Sequence, residues 1–499
     1  MSMRKKSLLH GVLALAALVF GGAGCYEAEP PGALWLQFAL ITDTHCLDDE
    51  SPARVVRLAD LFSSAWRPQE AYSTQTLDAT LRVLNAYHEG VLAPQRKLDF
   101  LLHLGDAVDN AQNNELAWFL EVMHGNVVLP ESGDIEGPQR PVEPAQNPKL
   151  AFDAVGLSPE IPWYIAHGNH DSMCVGVFRI DRVGPPQDWT AGLLAPVAEA
   201  VGLHDIDDEL NRLSPTVDMS PAVILGDMDV AKPNTGELDF DQLAAGEIPA
   251  DPARHFVDRA QLRDAYSLPV LRYSVRPKAD VPIRLVVLDT VAFDVFEGVP
   301  YDTGIMTREQ FDRFLRPEVE AARRAGEWVV IVSHHPSSDF DVLRPVQRVS
   351  TFEFRRYLAS QPNVLAHLCG HTHRNRVDMV EGAYPYPEIE TDSILDYPQE
   401  ARILGIYHQE ETGQFHIQST MVSHMDDPTV LSAESYRRAC LMSDRQPAPD
   451  AFEKRFGVDA NNLFPPEAPV NQQMLAPAER AGRLQDRDFS ITLQRAKRP

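Results

Sequence analysis

Five apolar runs of the chain each end in a short cluster of residues that could bind metal ions. These clusters are Asp43-Thr44-His45, Gly105-Asp106-Ala107-Val108-Asp109-Asn110, His167-Gly168-Asn169-His170-Asp171, Ser333-His334-His335-Pro336 and Cys369-Gly370-His371-Thr372-His373. Their carboxylates, carboxamide and imidazoles are ligand types suited to Mn, Fe or Zn rather than to Ca or Cu(I). The glycines let the backbone turn sharply beside the ligands. The pattern predicts a metal centre assembled from separate segments.

The segments that must position these clusters have the character of buried β-strands. They are Trp35–Thr42, Leu98–Leu104, Ile161–Ala166, Ile283–Leu288, Trp328–Val332 and Val364–Leu368. Their hydrophobicity is continuous rather than alternating, which is typical of a sheet covered on both faces. Ligands of open α/β sheets bind beyond the carboxyl ends of the strands, so we expect the clusters to meet there.

Helical patterns separate the predicted strands. Leu77 and Leu84 belong to one helix, between the first two strands. Thr307 and Gln310 form a capping-box pattern that begins another, and Gly326 ends it. The alternation of strands and helices predicts an α/β domain.

The composition is that of a large, acidic, globular protein. Asp and Glu outnumber Lys and Arg by 72 to 45, which gives a formal charge of −27. This charge repels a phosphate backbone and argues against a nucleic-acid polymer as a partner. Five cysteines in 499 residues do not form a disulfide framework. Pairing among Cys46, Cys174, Cys369 and Cys440 is left open, and small buried residues are the simpler interpretation.

The N-terminus has the pattern of an export signal. Basic residues at Arg4–Lys6 precede a short apolar run at Leu8–Phe20, and Gly22-Ala23-Gly24-Cys25 follows. Small residues that end at a cysteine resemble the lipobox of bacterial lipoproteins, which implies a lipid anchor on Cys25. We therefore expect an extracytoplasmic protein, attached to the membrane through Cys25. Simple periplasmic location or secretion is the alternative.

The series DTH, GDAVDN, GNHD, SHHP and GHTH resembles the signature motifs of the calcineurin-like, or dimetal, metallophosphoesterase superfamily. The resemblance implies a four-layer α/β/β/α sandwich with two divalent metal ions at one edge. Carried over motif by motif, the implied ligands are Asp43, His45 and His373 for the first ion, Asn169, His334 and His371 for the second, and Asp106 as the bridge. His335 is then the neighbour of a ligand.

The activity that this resemblance implies is hydrolysis of a phosphate mono- or diester by a hydroxide that bridges the ions. His170 is the candidate proton donor to the leaving group. Asp109 and Asp171 are expected to orient the ligands or His170. The family includes phosphatases, cyclic-nucleotide phosphodiesterases and glycerophosphodiester phosphodiesterases, and the choice among them stays open. A non-catalytic surface protein with a retained metal site is the alternative, and the presence of every ligand and of His170 favours an enzyme.

The domain organisation follows from the motifs and from composition. We expect a signal peptide at 1–24, a tether at 25–34, a metallophosphoesterase catalytic domain at 35–435 with an insertion at about 172–282, and a Pro-rich C-terminal extension at 436–499. The basic end of this extension, at Arg495, Lys497 and Arg498, is expected to be solvated. The segments 393–398 and 423–428 share the form S-x-x-D-x-P, which predicts turns.

Overall fold

The computed structural model describes residues 32–48, 67, 69–91, 97–110, 113–131, 147–171, 173–174, 176, 178–179, 272–291, 304–340, 348–443 and 481–496. The strands are β1 Ala33–Ile41, β2 Phe100–His103, β3 Val127–Val128, β4 Phe152–Asp153, β5 Trp163–Ile165, β6 Met173–Cys174, β7 Phe178–Arg179, β8 Tyr273–Val275, β9 Ile283–Val287, β10 Trp328–Val332, β11 Val364–Cys369, β12 Arg376–Val380, β13 Tyr386–Glu390, β14 Glu400–Gln409, β15 Gln414–Ser423 and β16 Phe489–Gln494. The helices are α1 Ser73–His88, α2 Asn113–His124, α3 Arg316–Ala325, α4 Thr351–Leu358, α5 Val430–Ser443 and α6 Leu484–Arg487.

Most of the strands form two six-stranded mixed sheets. Sheet I has the order β16-β15-β14-β1-β2-β5, and sheet II has the order β12-β13-β11-β10-β9-β8. All six predicted strand runs are confirmed, as β1, β2, β5, β9, β10 and β11. β1, β2 and β5 are parallel neighbours in sheet I, and β9, β10 and β11 are parallel neighbours in sheet II. The carboxyl ends of parallel neighbours lie at the same edge, so each sheet delivers its ligand loops together.

The two sheets share one hydrophobic core, and helices flank them. Trp328 of sheet II lies 4.7 Å from Phe415 of sheet I between ring centroids. The Tyr273 hydroxyl in β8 donates to the Ile165 carbonyl in β5 at 2.8 Å. A second cluster packs α3 and α4 on sheet II, and Leu77 of α1 belongs to the shared core. The mixed α/β class is confirmed.

The helix predicted after Thr307 begins and ends as its sequence indicates. Thr307 Oγ1 accepts a hydrogen bond from the Gln310 backbone N–H at 3.1 Å, and Gly326 ends α3 with φ +73°. A π-helical stretch, Phe311–Leu315, joins the first turn to α3. The Gln310 side chain does not close the capping box. It bonds both backbone groups of Asp289 instead, at 3.0 and 2.6 Å.

Elements of the structure lie across two predicted boundaries, the end of the insertion and the start of the C-terminal extension. β8 lies inside the range predicted for the insertion, and its three residues are too few to show a periodic pattern. The boundary predicted at 435 falls within α5, and β16 of the extension pairs with β15. The prediction of a solvated Arg495 is wrong, because this residue is buried and donates to the carbonyls of Val364 and Pro385 at 3.0 and 2.6 Å.

The predicted signal peptide, Cys25, Lys497 and Arg498 lie outside the described residues. Within the described ranges, no helix is both long enough and apolar enough to cross a membrane. Cys46 and Cys369 are buried free thiols, whereas Cys440 is half-buried. For Cys46 and Cys369 the simpler interpretation of the sequence is the correct one.

Candidate active site

The loops that follow β1, β2, β5, β10 and β11 bring the sequence-predicted metal ligands together. His45 Nε2 lies 3.1 Å from His373 Nε2, and His373 Nε2 lies 3.1 Å from Asp43 Oδ1. Separations of this size are those of neighbouring ligands around one ion, given metal–nitrogen distances of about 2.0–2.1 Å. Asp43, His45 and His373 therefore form the first position of the candidate centre.

The second position is built around His334, whose Nε2 lies 3.1 Å from Asp106 Oδ2. The imidazole of His371 lies edge-on to that of His334, with 5.1 Å between the two ring centroids. Asp106 Oδ2 also lies 4.0 Å from His45 Nε2. Asp106 thus stands between the two positions, where the resemblance places a bridging carboxylate.

Most of these ligands have a left-handed backbone conformation. The φ angles are +51° at Asp43, +41° at His45, +56° at Asp106, +69° at His371 and +51° at His373. Side chains other than glycine visit this region rarely, at a cost of about 1–2 kcal/mol per residue. The turn at each strand end redirects the side chain into the site, and the surrounding structure holds the strained conformation.

Glycines beside the ligands allow backbone and carboxylates to approach closely. A Cβ on Gly168 would lie 2.0 Å from Asp106 Oδ1, and one on Gly370 would lie 2.1 Å from Thr42 Oγ1 and 2.8 Å from Asp43 Oδ2. All three distances are shorter than van der Waals contact. Any larger residue at these positions would displace an acidic ligand.

A buried amide oxygen without a hydrogen-bond partner shows that the site fits a metal ion. Asn169 Oδ1 is buried and makes no hydrogen bond. The Asn169 amide is oriented, because its Nδ2 donates to the Gly176 carbonyl at 3.0 Å. A buried acceptor without a partner costs about 1–3 kcal/mol, and an ion bound there would remove that cost.

The electrostatics of the pocket also favour cations. Burial raises the pKa of Asp43, but the imidazoles of His373 and His334 hold that pKa well below its ordinary value. Burial lowers the pKa of His334, whereas the carboxylates of Asp106 and Asp43 raise it to about 9. The acids therefore stay ionised and draw positive charge into the site, a demand that divalent ions can meet.

His170 lies beside the first position with a defined tautomer. Its Nδ1 lies 2.7 Å from the Asp109 carbonyl, which can only accept a hydrogen bond, so Nδ1 carries a proton. Its ring lies edge-on to that of His45, with 4.5 Å between the two ring centroids. Burial lowers the pKa of His170, but Asp106 and Asp109 raise it to about 9. Nε2 remains as the nitrogen that can exchange a proton with a substrate.

Asp109 and Asp171 support the site in different ways. Asp109 Oδ1 lies 2.9 Å from His45 Nδ1 and 3.3 Å from His170 Nδ1, so this carboxylate contacts both side chains. Asp171 instead accepts backbone N–H groups, those of Asp106, Ala107, Val108 and Gly168. It therefore fixes the loops that carry Asp106 and Asn169 rather than the imidazole of His170.

Sequence reasoning missed Asp396, which holds a ligand directly. Its Oδ2 lies 2.6 Å from His373 Nδ1. Asp396 belongs to the S-x-x-D-x-P pattern at 393–398, and that pattern by itself predicts a turn. The matching pattern at 423–428 is a turn: Ser423 and Asp426 cap a 3₁₀ helix reciprocally. The two copies have the same local chemistry, and only their places in the fold differ.

The loop after β10 holds a further imidazole near the second position. His334, His335 and His371 each offer a nitrogen within 4.8 Å of the others. His335 Nδ1 lies 2.8 Å from Thr290 Oγ1, while its Nε2 is buried without a hydrogen-bond partner. The alternation of a strand would turn His335 away from the site. The chain has left β10 at this point, so alternation no longer applies.

A buried chain of polar groups fixes this same loop. Ser333 Oγ donates to the His335 carbonyl at 2.7 Å and lies 2.7 Å from His367 Nε2. His367 Nδ1 lies 2.8 Å from Glu388 Oε2, and Arg355 donates to the other Glu388 oxygen at 2.6 Å. All of these groups except Arg355 are fully buried, so they support the loop rather than contact substrate.

Comparison with known proteins agrees with the motifs. A sequence profile of the calcineurin-like phosphoesterases matches residues 36–375, so the chain belongs to this family. It is a metal-dependent phosphoester hydrolase, and the family uses two divalent ions. None of the curated protein sequences matches the chain.

Two solved structures are similar to this chain at low sequence identity. A dimetal phosphatase from Danio rerio has 12% identity, covers 79% of this chain and 97% of its own, and superposes with a TM-score of 0.35. The sulfate thiohydrolase SoxB of Thermus thermophilus has 11% identity, covers 85% of this chain and 63% of its own, and also has a TM-score of 0.35.

Proposed function

We propose that this protein is an exported, lipid-anchored dimetal phosphoesterase that hydrolyses a small phosphate mono- or diester outside the cytoplasm. The observation that carries the catalytic part is the convergence of the predicted ligands around Asp106, which contacts the imidazoles of both positions. The motif-matched His170 lies beside them with its Nε2 available. A site that only bound metal would not require this imidazole.

The geometry of the two positions supports the ligand roles that we propose. Asp43, His45 and His373 would hold the first ion, Asn169, His334 and His371 would hold the second, and Asp106 would join them. When bound, two such ions supply a positive clamp for a phosphoryl group and lower the pKa of water. The pocket then attracts an anionic ester within a chain whose overall formal charge is −27.

His170 would donate the proton that the leaving group needs. Its Nδ1 is engaged by the Asp109 carbonyl, which aims Nε2 away from Asp109. The backbone of Gly176 packs beside this ring, because a Cβ at Gly176 would lie 2.3 Å from His170 Nε2. The ring is therefore held in one orientation before substrate arrives, as positioned acid–base catalysis requires.

A substrate panel tests the catalytic proposal. Phosphomonoesters and phosphodiesters, including cyclic nucleotides and glycerophosphodiesters, would be assayed after chelation and after adding back Mn²⁺, Fe²⁺ or Zn²⁺. We expect activity to disappear with the metals and to return with at least one of them. Stoichiometric metal binding without hydrolysis of any ester would favour the non-catalytic surface protein.

Fractionation tests the proposed anchor at Cys25. The lipoprotein modification adds several acyl chains, which is enough for stable attachment. The wild type should partition with membranes, and Cys25→Ser should appear in the soluble fraction or remain unprocessed. Wild-type protein found wholly in the soluble extracytoplasmic fraction would replace the anchored form with simple secretion.

A further inference from the structure

Arg67 is a buried arginine that lies beside Asp109 and Asp396, the two carboxylates that contact the imidazoles of the first position. It is 2% exposed. Its Nη1 lies 3.4 Å from Asp109 Oδ1, and its Nε lies 3.4 Å from Asp396 Oδ1. Asp109 contacts His45 Nδ1 at 2.9 Å, and Asp396 contacts His373 Nδ1 at 2.6 Å. One guanidinium therefore faces both of the carboxylates that orient the imidazoles of the first position.

We propose that Arg67 is a positioning residue that couples Asp109 to Asp396 and so fixes both imidazoles of the first position. The planar guanidinium presents donors in several fixed directions, so it can face two carboxylates at once. An ammonium group is a single point charge on a flexible stem. It can approach one of these carboxylates closely only by leaving the other.

Competition for Asp109 explains why such a coupling is needed. The same Asp109 oxygen lies 2.9 Å from His45 Nδ1, 3.3 Å from His170 Nδ1 and 3.4 Å from Arg67 Nη1. Arg67 Nη1 donates a hydrogen bond to this oxygen and so competes with the two imidazoles for it. Without it, the carboxylate can turn towards His170 and release His45.

Asp396 is held from a second direction as well. Gln69 Nε2 donates to Asp396 Oδ1 at 2.7 Å, on the oxygen that faces Arg67. Asp396 therefore keeps one neutral partner when Arg67 is removed. The main effect of losing Arg67 should pass through Asp109 to His45, with a smaller one through Asp396.

Metal affinity at the first position tests this proposal without a substrate. In an Asn169→Ala parent, which should bind only the first ion, the Mn²⁺ dissociation constant would be measured by competition with a fluorescent chelator. Adding Arg67→Met should raise that constant about 10-fold or more, the size of effect typical of groups that orient ligands. Arg67→Lys should give an intermediate loss. A Met or Lys variant within twofold of the parent would overturn the proposal.

Two comparisons separate positioning from general destabilisation. Arg82→Met is the matched control, because Arg82 pairs with Asp78 at 3.2 Å on the surface of α1 and should leave the constant unchanged. In an Asp109→Asn background, Arg67→Met should raise the Mn²⁺ dissociation constant by a smaller factor than in the parent, because both changes act on one carboxylate. Equal costs in the two backgrounds would show that Arg67 does not act through Asp109. If Arg67→Met does not fold, the Mn²⁺ dissociation constant of Arg67→Lys tests the proposal.

This inference rests on the proposed ligand assignment, and the two can fail separately. A metal-loaded wild type that hydrolyses no phosphate ester would overturn the proposed function and leave the affinity result standing. An unchanged affinity in either Arg67 variant would overturn only the role of Arg67. A parent and a wild type that both bind no Mn²⁺ would overturn the ligand assignment itself.

Discussion

The first and second positions of the metal centre are supported by different chemistry. Carboxylates contact both imidazoles of the first position, Asp109 at His45 and Asp396 at His373. At the second position, His334 Nδ1 lies 2.9 Å from a backbone carbonyl, that of Leu104. A carboxylate both orients an imidazole and increases its basicity, whereas a carbonyl mainly orients it.

Two ions in one pocket therefore need not be bound with equal affinity. The first position combines the Asp43 ligand with two orienting carboxylates, so it should retain its ion more firmly. The second position relies on the loop after β10, which the buried Ser333, His367 and Glu388 chain fixes. Its ion should exchange more readily.

The largest effect is expected at Asp106, which contacts imidazoles of both positions. Asp106→Asn should lose both ions, whereas Asn169→Ala should lose mainly the second. The activity of Asp106→Asn should fall by more than the 10- to 100-fold that is typical of groups that orient ligands. Metal content per chain after dialysis measures this difference. Two full equivalents retained by Asp106→Asn would show that the positions do not share this ligand.

Replacing His170 should separate proton donation from metal binding. His170→Ala should keep both ions and lose about 10²–10⁴ in kcat/KM on an alkyl phosphate ester, where the leaving group needs a proton. The loss should be much smaller on the matching nitrophenyl ester, whose leaving group needs none. Metal content and kcat/KM for both esters would be measured together. Equal losses on the two esters would remove His170 from the role of proton donor.

Asp396→Asn should weaken the first position selectively. The affinity of the first ion should fall about 10- to 100-fold, because an amide cannot support the His373 imidazole as a carboxylate does. Asp426→Asn is the matched control, since Asp426 has the same place in the second S-x-x-D-x-P pattern and caps a turn. Chelator competition measures both variants. Similar metal affinities for Asp396→Asn and Asp426→Asn would show that Asp396 does not strengthen the first position.

A pH dependence of stability is expected at Glu388, on the side of the second position. Burial raises the pKa of Glu388, but His367 and Arg355 lower it to about 2, from an ordinary value of 4.5. This carboxylate contributes about 3 kcal/mol of stability above its unfolded pKa, and the contribution is lost as pH falls from about 4.5 to 2. Glu388→Gln should be less stable at neutral pH and should lose less stability on acidification. Denaturant unfolding at several pH values measures this, and parallel curves would contradict it.

The sequence by itself determined the family and the strands that carry the candidate ligands. Continuous apolar runs mark buried strands, and the polar clusters follow directly at their carboxyl ends, as at Asp43 after β1 and Asn169 after β5. Both signals are local, because a strand and the loop that follows it are neighbours in the chain. The cap at Thr307 and the stop at Gly326 are local in the same sense.

Only the tertiary structure decided which residues outside the motifs, such as Asp396, support those ligands. Asp396 meets His373 because the segment after β13 returns to the site, whereas its counterpart Asp426 stays in a turn. Arg495 is buried because β16 adds to the edge of sheet I and carries the end of the chain to carbonyls of sheet II. Such contacts join residues far apart in sequence, and their energy depends on burial and distance. No pattern of neighbouring residues encodes either quantity.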